Sequence, residues 1–116
     1  MNNKKTGQEG ELLAQQFLKE QGYEILNINW RTGHKEIDII CKQQDVYIFV
    51  EVKTRLHTRM GMPEESVSEK KIQAVTEAAR IYLEDKVYSD IRFDVISIIL
   101  QKNNQHDILH IKDAFY

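Results

Sequence analysis

The chain has 116 residues, 41% hydrophobic and 29% charged, with a net charge of −2 and a pI near 6.1. That length suits one domain, read as residues 1–116, with enough apolar material to bury one core. A slightly acidic chain does not coat nucleic acid by bulk charge, a lone Cys41 cannot form an internal disulfide, and with neither a bilayer-length apolar run nor a secretory-signal core the expected setting is the cytoplasm.

The first periodic segment predicts a helix over 6–21. Thr6 and Glu9 have capping-box spacing, Gly22 supplies a stop, and Leu13, Ala14, Phe17 and Leu18 form one apolar stripe with Glu11 at its edge. Residues 23–30 are strand-like, with a turn at 32–34. Residues 36–41 and 46–53 are β-rich runs separated by Lys42, Gln43, Gln44 and Asp45, which predicts an antiparallel hairpin. A long loop over 56–65, containing Gly61 and Pro63, reads as mobile. A second helix follows, with Ser66 and Glu69 at capping-box spacing and Ile72, Val75, Ala79 and Tyr82 at helical intervals. Strands at 91–100 and 108–111 close the chain. The order α-β-β-β-α-β-β predicts a mixed sheet flanked by helices, of the α/β or α+β class.

The chemistry lies in Glu36-Ile37-Asp38 and Phe49-Val50-Glu51-Val52-Lys53. Side chains alternate along a strand, so Glu51 and Lys53 share a face. A hairpin turning symmetrically between Gln44 and Asp45 pairs Asp38 with Glu51, with Cβ atoms about 5 Å apart. An odd-numbered loop would send Asp38 to the other face. Two acids so close repel each other unless a cation intervenes, and Mg²⁺ or Mn²⁺ prefers carboxylate oxygen. Lys53 beside such an ion would orient or deprotonate a water, or neutralise charge on phosphorus. The plainer alternative is a solvated strand face with a Glu51–Lys53 ion pair. Against it, both acids interrupt strongly apolar strands, where charges are rarely buried unless paired or metal-bound.

Lys53, Arg55, His57 and Arg59 recur at alternate positions with no acid between them. Arg55 and Arg59 would track a phosphate backbone, or simply form a solvated strand end. Trp30 and Arg31 would stack on and contact nucleic acid, or Trp30 would sit at the core edge. Cys41 with His34 or His57 fits no zinc spacing, so packing is its expected role.

At these residues the chain resembles the YraN-type predicted endonucleases, within the PD-(D/E)xK nuclease superfamily and related to archaeal Holliday-junction resolvases. The match includes Gly7 with Glu11, Gly22-Tyr23, Asn29, Arg31, Glu36-Ile37-Asp38 and the run from Phe49 to Arg55. It continues through Gly61, Pro63, Ser66-Val67, Lys71, Arg92-Phe93-Asp94-Val95 and the closing Ile111-Lys112-Asp113-Ala114-Phe115. The resemblance implies a restriction-endonuclease-like fold, Asp38 and Glu51 as metal ligands, and Lys53 as catalytic lysine. It implies that Glu11 completes the acidic cluster, and that the helix bearing Lys71 faces the site, within reach of a phosphate. Lys35 stands where the family usually has glycine, so a different local turn is expected there. The expected activity is Mg²⁺- or Mn²⁺-dependent cleavage of DNA, branched or otherwise structured, by a homodimer. A catalytically silent binding module for nucleic acid or protein, and an assembly protein, are the alternatives.

Overall fold

A computed structural model describes residues 3–57 and 67–115. Helix α1 spans Asn3–Glu20, so Thr6 lies within the helix and does not cap it; Lys4 and Lys5 are good helix formers, and nothing before Thr6 breaks the pattern. The predicted stop is present. Gly22 adopts φ +93°, the Tyr23 N–H donates to Leu18 O at 3.0 Å and the Gly22 N–H donates to Lys19 O at 3.1 Å, the paired bonds of a Schellman cap.

Five strands form one sheet in the order β1-β2-β3-β4-β5. They are β1 Glu24–Thr32, β2 Lys35–Gln43, β3 Val46–Leu56, β4 Asp90–Leu100 and β5 His106–Ile111. Only β3 and β4 run parallel, and such a pair needs a crossover connection. Helix α2, Glu69–Tyr82, lies in it, extended by a 3₁₀ turn over Leu83–Asp85 that periodicity did not predict. Its N-cap is Ser68, whose hydroxyl accepts the Lys71 N–H at 3.1 Å, and not Ser66. Both serines have capping chemistry, and the sequence alone could not choose between them. Ser66, Gly61, Pro63, Arg59 and most of the predicted long loop lie outside the described residues.

Each helix covers one face of the sheet. On one side Ala14 and Leu18 of α1 pack over Ile39, Cys41, Ile48, Val50 and Ile96. On the other, Val75, Ala78, Ala79 and Tyr82 of α2 pack over Ile40, Tyr47, Phe49 and Phe93. Central strands covered on both faces read as nearly continuous apolar runs, which explains the composition of 37–41 and 46–50. Helix α1 sits unusually close to β3: a Cβ on Gly10 would collide with Thr54, reaching 2.7 Å from its Cβ. This close approach lowers the next residue, Glu11, toward the sheet. A Cβ on Gly7 would meet nothing within 4 Å among the described residues. Among the described residues no helix is long and apolar enough to cross a membrane.

Candidate functional site

The β2–β3 hairpin turns at Gln44-Asp45, and its ladder runs from Gln43 opposite Val46 to Ile39 opposite Val50. This is the even-loop register, so Asp38 and Glu51 come next. There the strands part. Strict alternation would keep Ile37 beside Ile39, yet Ile39 packs under α1 and Ile37 packs with Ile40 against α2. The irregularity falls at Asp38, whose Oδ2 accepts the Val52 N–H at 2.8 Å where the ladder would have continued.

Asp38 and Glu51 are both buried. Burial and then the charge of Asp38 push the Glu51 carboxyl up to about 8, and the nearby Lys71 opposes the rise. Burial raises Asp38 too, against the Val52 N–H, its contact with Glu51 and Lys71. The two carboxyl groups are within hydrogen-bonding reach of each other, so one proton can be held between them. The Lys71 ammonium lies 3.5 Å from Glu51 Oε2. Glu51 Oε1 is buried and receives no hydrogen bond from the described residues, an arrangement that costs free energy unless a further donor, a cation or water completes it.

Glu11 is half-buried, and burial first, then Asp38, raises its carboxyl, while a hydrogen bond from Asn29 opposes this. Asn29 itself holds φ +51° within β1, a left-handed conformation that asparagine tolerates better than most residues. Glu11 thus senses Asp38, but the acids do not close into a cage: no group of three or more His, Cys, Asp or Glu side chains that could hold a metal occurs among the described residues. Lys53 is half-buried on β3, two residues beyond Glu51 and on the same face. Glu51 pairs with Lys71 across from α2, not with Lys53 as the plainer alternative expected. Arg55 continues the face of Lys53 and is also half-buried. Arg31 is exposed and pairs with Glu36 at 2.8 Å.

Trp30 packs edge-on against Tyr82, with ring centroids 5.1 Å apart, which makes it a core-edge residue. Burial pushes the Cys41 thiol up to about 12, so it is inert packing. Lys35 opens β2 without a left-handed φ; that conformation falls on Gly33, at +60°. Lysine is therefore accommodated at 35 without backbone strain.

A third buried acid, Asp94, could not be given a role from the sequence. Asp94 accepts Arg92 Nε at 2.9 Å, Arg92 Nη2 at 2.8 Å and the Asp113 N–H at 3.0 Å, and it contacts His110 Nε2 at 2.7 Å. Arg92 also donates to the Tyr23 hydroxyl at 2.9 Å. Burial pushes Asp94 up, but His110, Arg92 and the Asp113 N–H outweigh it and hold the carboxyl at about 2. Every lone pair of Asp94 is thus used, tying β5 and the C-terminal turn to β4. The available signal was an acid inside an apolar strand, the same that marked Asp38 and Glu51. The partners tell the two cases apart: Asp94 is saturated by cations and donors, whereas Asp38 and Glu51 face each other.

Fold and site together define an α+β protein whose mixed five-stranded sheet parts around a buried carboxylate pair. Residues 10–98, which include Glu11, Asp38, Glu51, Lys53 and Lys71, match the model of the uncharacterised protein family UPF0102, and the chain belongs to that family. A UPF0102 protein of Syntrophomonas wolfei is 43% identical over 97% of this chain and 99% of its own length. One of Caldicellulosiruptor bescii is 44% identical over 99% of this chain and 100% of its own.

Proposed function

We propose that the chain is a Mg²⁺- or Mn²⁺-dependent endonuclease that hydrolyses phosphodiester bonds in DNA, with Asp38 and Glu51 as the ligands of the ion. The observation that carries this reading is the under-neutralised acid pair. Two buried carboxyl groups lie within hydrogen-bonding reach of each other, one is held near 8, and one of its oxygens has no donor among the described residues. A hard divalent ion relieves that repulsion, and it needs only one or two protein carboxylates when water and phosphate complete its shell. Such an ion supplies Lewis acidity to a phosphoryl oxygen and to water.

The chain's own groups supply the rest. Lys53, on the face of Glu51, neutralises charge developing on phosphorus or takes a proton from the attacking water. Lys71 is a second cation at the same carboxylate. Glu11, oriented by Asn29, holds a water or a further ion at the outer edge of the site. The resemblance to resolvases favours branched DNA as substrate and a homodimer with one site per strand. The exposed Leu109 and Ile111 on edge strand β5 suit a partner copy.

A catalytically silent nucleic-acid- or protein-binding module is the second reading. It is favoured by the Lys71–Glu51 contact, which already neutralises part of the acid pair without any ion. The test is to incubate the chain with linear and four-way-junction DNA in Mn²⁺, Mg²⁺ or EDTA. Ion-dependent cleavage that disappears in Asp38→Asn and Lys53→Met is the expected result. Cleavage that persists in both variants, or none by the native chain under any condition, rejects the nuclease.

A further inference from the structure

Between the turn joining β1 to β2 and the first turn of α2 lies an open groove lined by Arg31, Lys35, Glu36, Ser68, Lys70 and Lys71. Among the described residues that line it, four cations face a single acid, Glu36, while Lys71 also reaches Glu51 and Lys35 acts on Glu77 outside the lining, in a chain whose net charge is −2. Positive charge is therefore concentrated at this groove against the balance of the molecule. The one acid does not cancel it. Glu36 engages Nε of Arg31, and a guanidinium carries four further N–H donors. The Arg31 side chain is three-quarters exposed at 75%, so those donors are accessible to a ligand.

The groove also has a direction. Its inner end is Lys71, whose ammonium reaches Glu51 of the carboxylate pair. Lys35 stands on the opposite wall, at the start of β2, just after the tight turn that Gly33 permits. Lys70 lies beside Lys71 at the N-terminal end of α2, where the helix dipole adds positive potential. Cations spread over two walls suit an anion that repeats along its length, not a single small one. Lysine ammonium groups are point-charge contacts for phosphate, without the planar fork that reads a particular carboxylate or base.

We propose that this groove carries the sugar–phosphate backbone of a nucleic-acid strand into the carboxylate pair, with Lys35 and Lys70 as phosphate contacts outside the reacting centre. The groove deepens the nuclease reading, and it rests on that reading only in placing the scissile phosphate at its inner end.

The test measures binding of the full chain to a fluorescein-labelled DNA duplex by anisotropy, in EDTA and across a series of salt concentrations. The variants are Lys35→Gln with Lys70→Gln and, as a matched control on the far edge of the sheet, Lys102→Gln with Lys112→Gln. Each phosphate contact contributes a slope of about 0.9 to log K against log salt. The groove variant should therefore lose about two from that slope and bind about tenfold more weakly, while the control stays as the native chain. Equal slopes for the native chain and the groove variant overturn the proposal, whether or not the native chain cleaves DNA. Loss of binding in the groove variant, with no cleavage by the native chain in Mn²⁺, upholds the groove and rejects the nuclease. Poly-glutamate that competes with DNA at equal charge, with the same dependence on Lys35 and Lys70, overturns the proposal in favour of an acidic protein partner.

Discussion

Glu51→Gln removes one buried charge while keeping the shape of the side chain, so it isolates what that charge costs. In the fold the Glu51 carboxyl is held at about 8, against an ordinary 4.5. Below pH 4.5 it is protonated whether the chain is folded or not. Between 4.5 and 8 the unfolded chain releases the proton and the folded chain keeps it, so unfolding becomes easier as pH rises through this window. Above 8 the full cost is present. A difference of about 3.5 in pKa, at 1.36 kcal/mol each, sets a ceiling of about 5 kcal/mol. Charge shared with Asp38 and Lys71 lowers this, and a loss of about 2 kcal/mol or more between pH 5 and pH 9 is expected. The assay is urea unfolding in EDTA at a series of pH values. The native chain should lose stability as pH rises, while Glu51→Gln, in which Asp38 is the one acid of the pair left to titrate, loses much less and becomes the more stable of the two at pH 9. Adding Mn²⁺ at a hundred times its Kd should then restore about 2.7 kcal/mol to the native chain and nothing to the variant. Parallel pH profiles for the two proteins would refute the reasoning, because the acid pair would then not be the seat of the unfavourable charge.

Asp94 should behave in the opposite sense. Its carboxyl is held at about 2 in the fold against an ordinary 3.8, so its contribution is present above 3.8 and is lost as pH falls toward 2. Asp94→Asn should cost about 3 kcal/mol or more at neutral pH by leaving Arg92 without its buried partner, and it should flatten the acid limb of the thermal unfolding profile; an unchanged Tm would contradict this. Gly10→Ala should cost about 1–3 kcal/mol, since the new methyl meets Thr54 Cβ, which no rotamer change can move aside; chemical denaturation at or above native stability would show that α1 does not approach β3 so closely. Asn29→Ala should cost about 1 kcal/mol more than Asn29→Gly, because only the alanine variant must hold a left-handed φ with a Cβ. Equal urea midpoints for the two Asn29 variants would contradict that account.

The register of the central hairpin was legible only through its turn: the short polar connection allowed a symmetric turn at Gln44-Asp45, and the ladder has that register, so Asp38 and Glu51 come next along it. The apolar runs could not decide it, because both faces of these strands are covered. Element order was readable because periods of two and 3.6 are strong over strands and helices of this length. Helix starts were not: Thr6, Ser66 and Ser68 all carry capping side chains, and residue type alone does not choose among them. The resemblance placed Lys71 at the site as a phosphate contact, but its pairing with Glu51 was hidden, because the two residues lie on different elements and no local pattern encodes the pair. The Asp94 network joins residues as distant as Tyr23 and His110, a separation that no local pattern encodes. Gly10 looked like any helical glycine until its distance from Thr54 was known.

Anomalous diffraction from crystals soaked in Mn²⁺ tests the central claim most directly. The account predicts one peak bonded to oxygens of both Asp38 and Glu51 at about 2.0–2.2 Å, present in the native chain and absent in Asp38→Asn. At saturating Mn²⁺, a map with no peak there, in which Asp38 still accepts the Val52 N–H and Lys71 still covers Glu51, would contradict it.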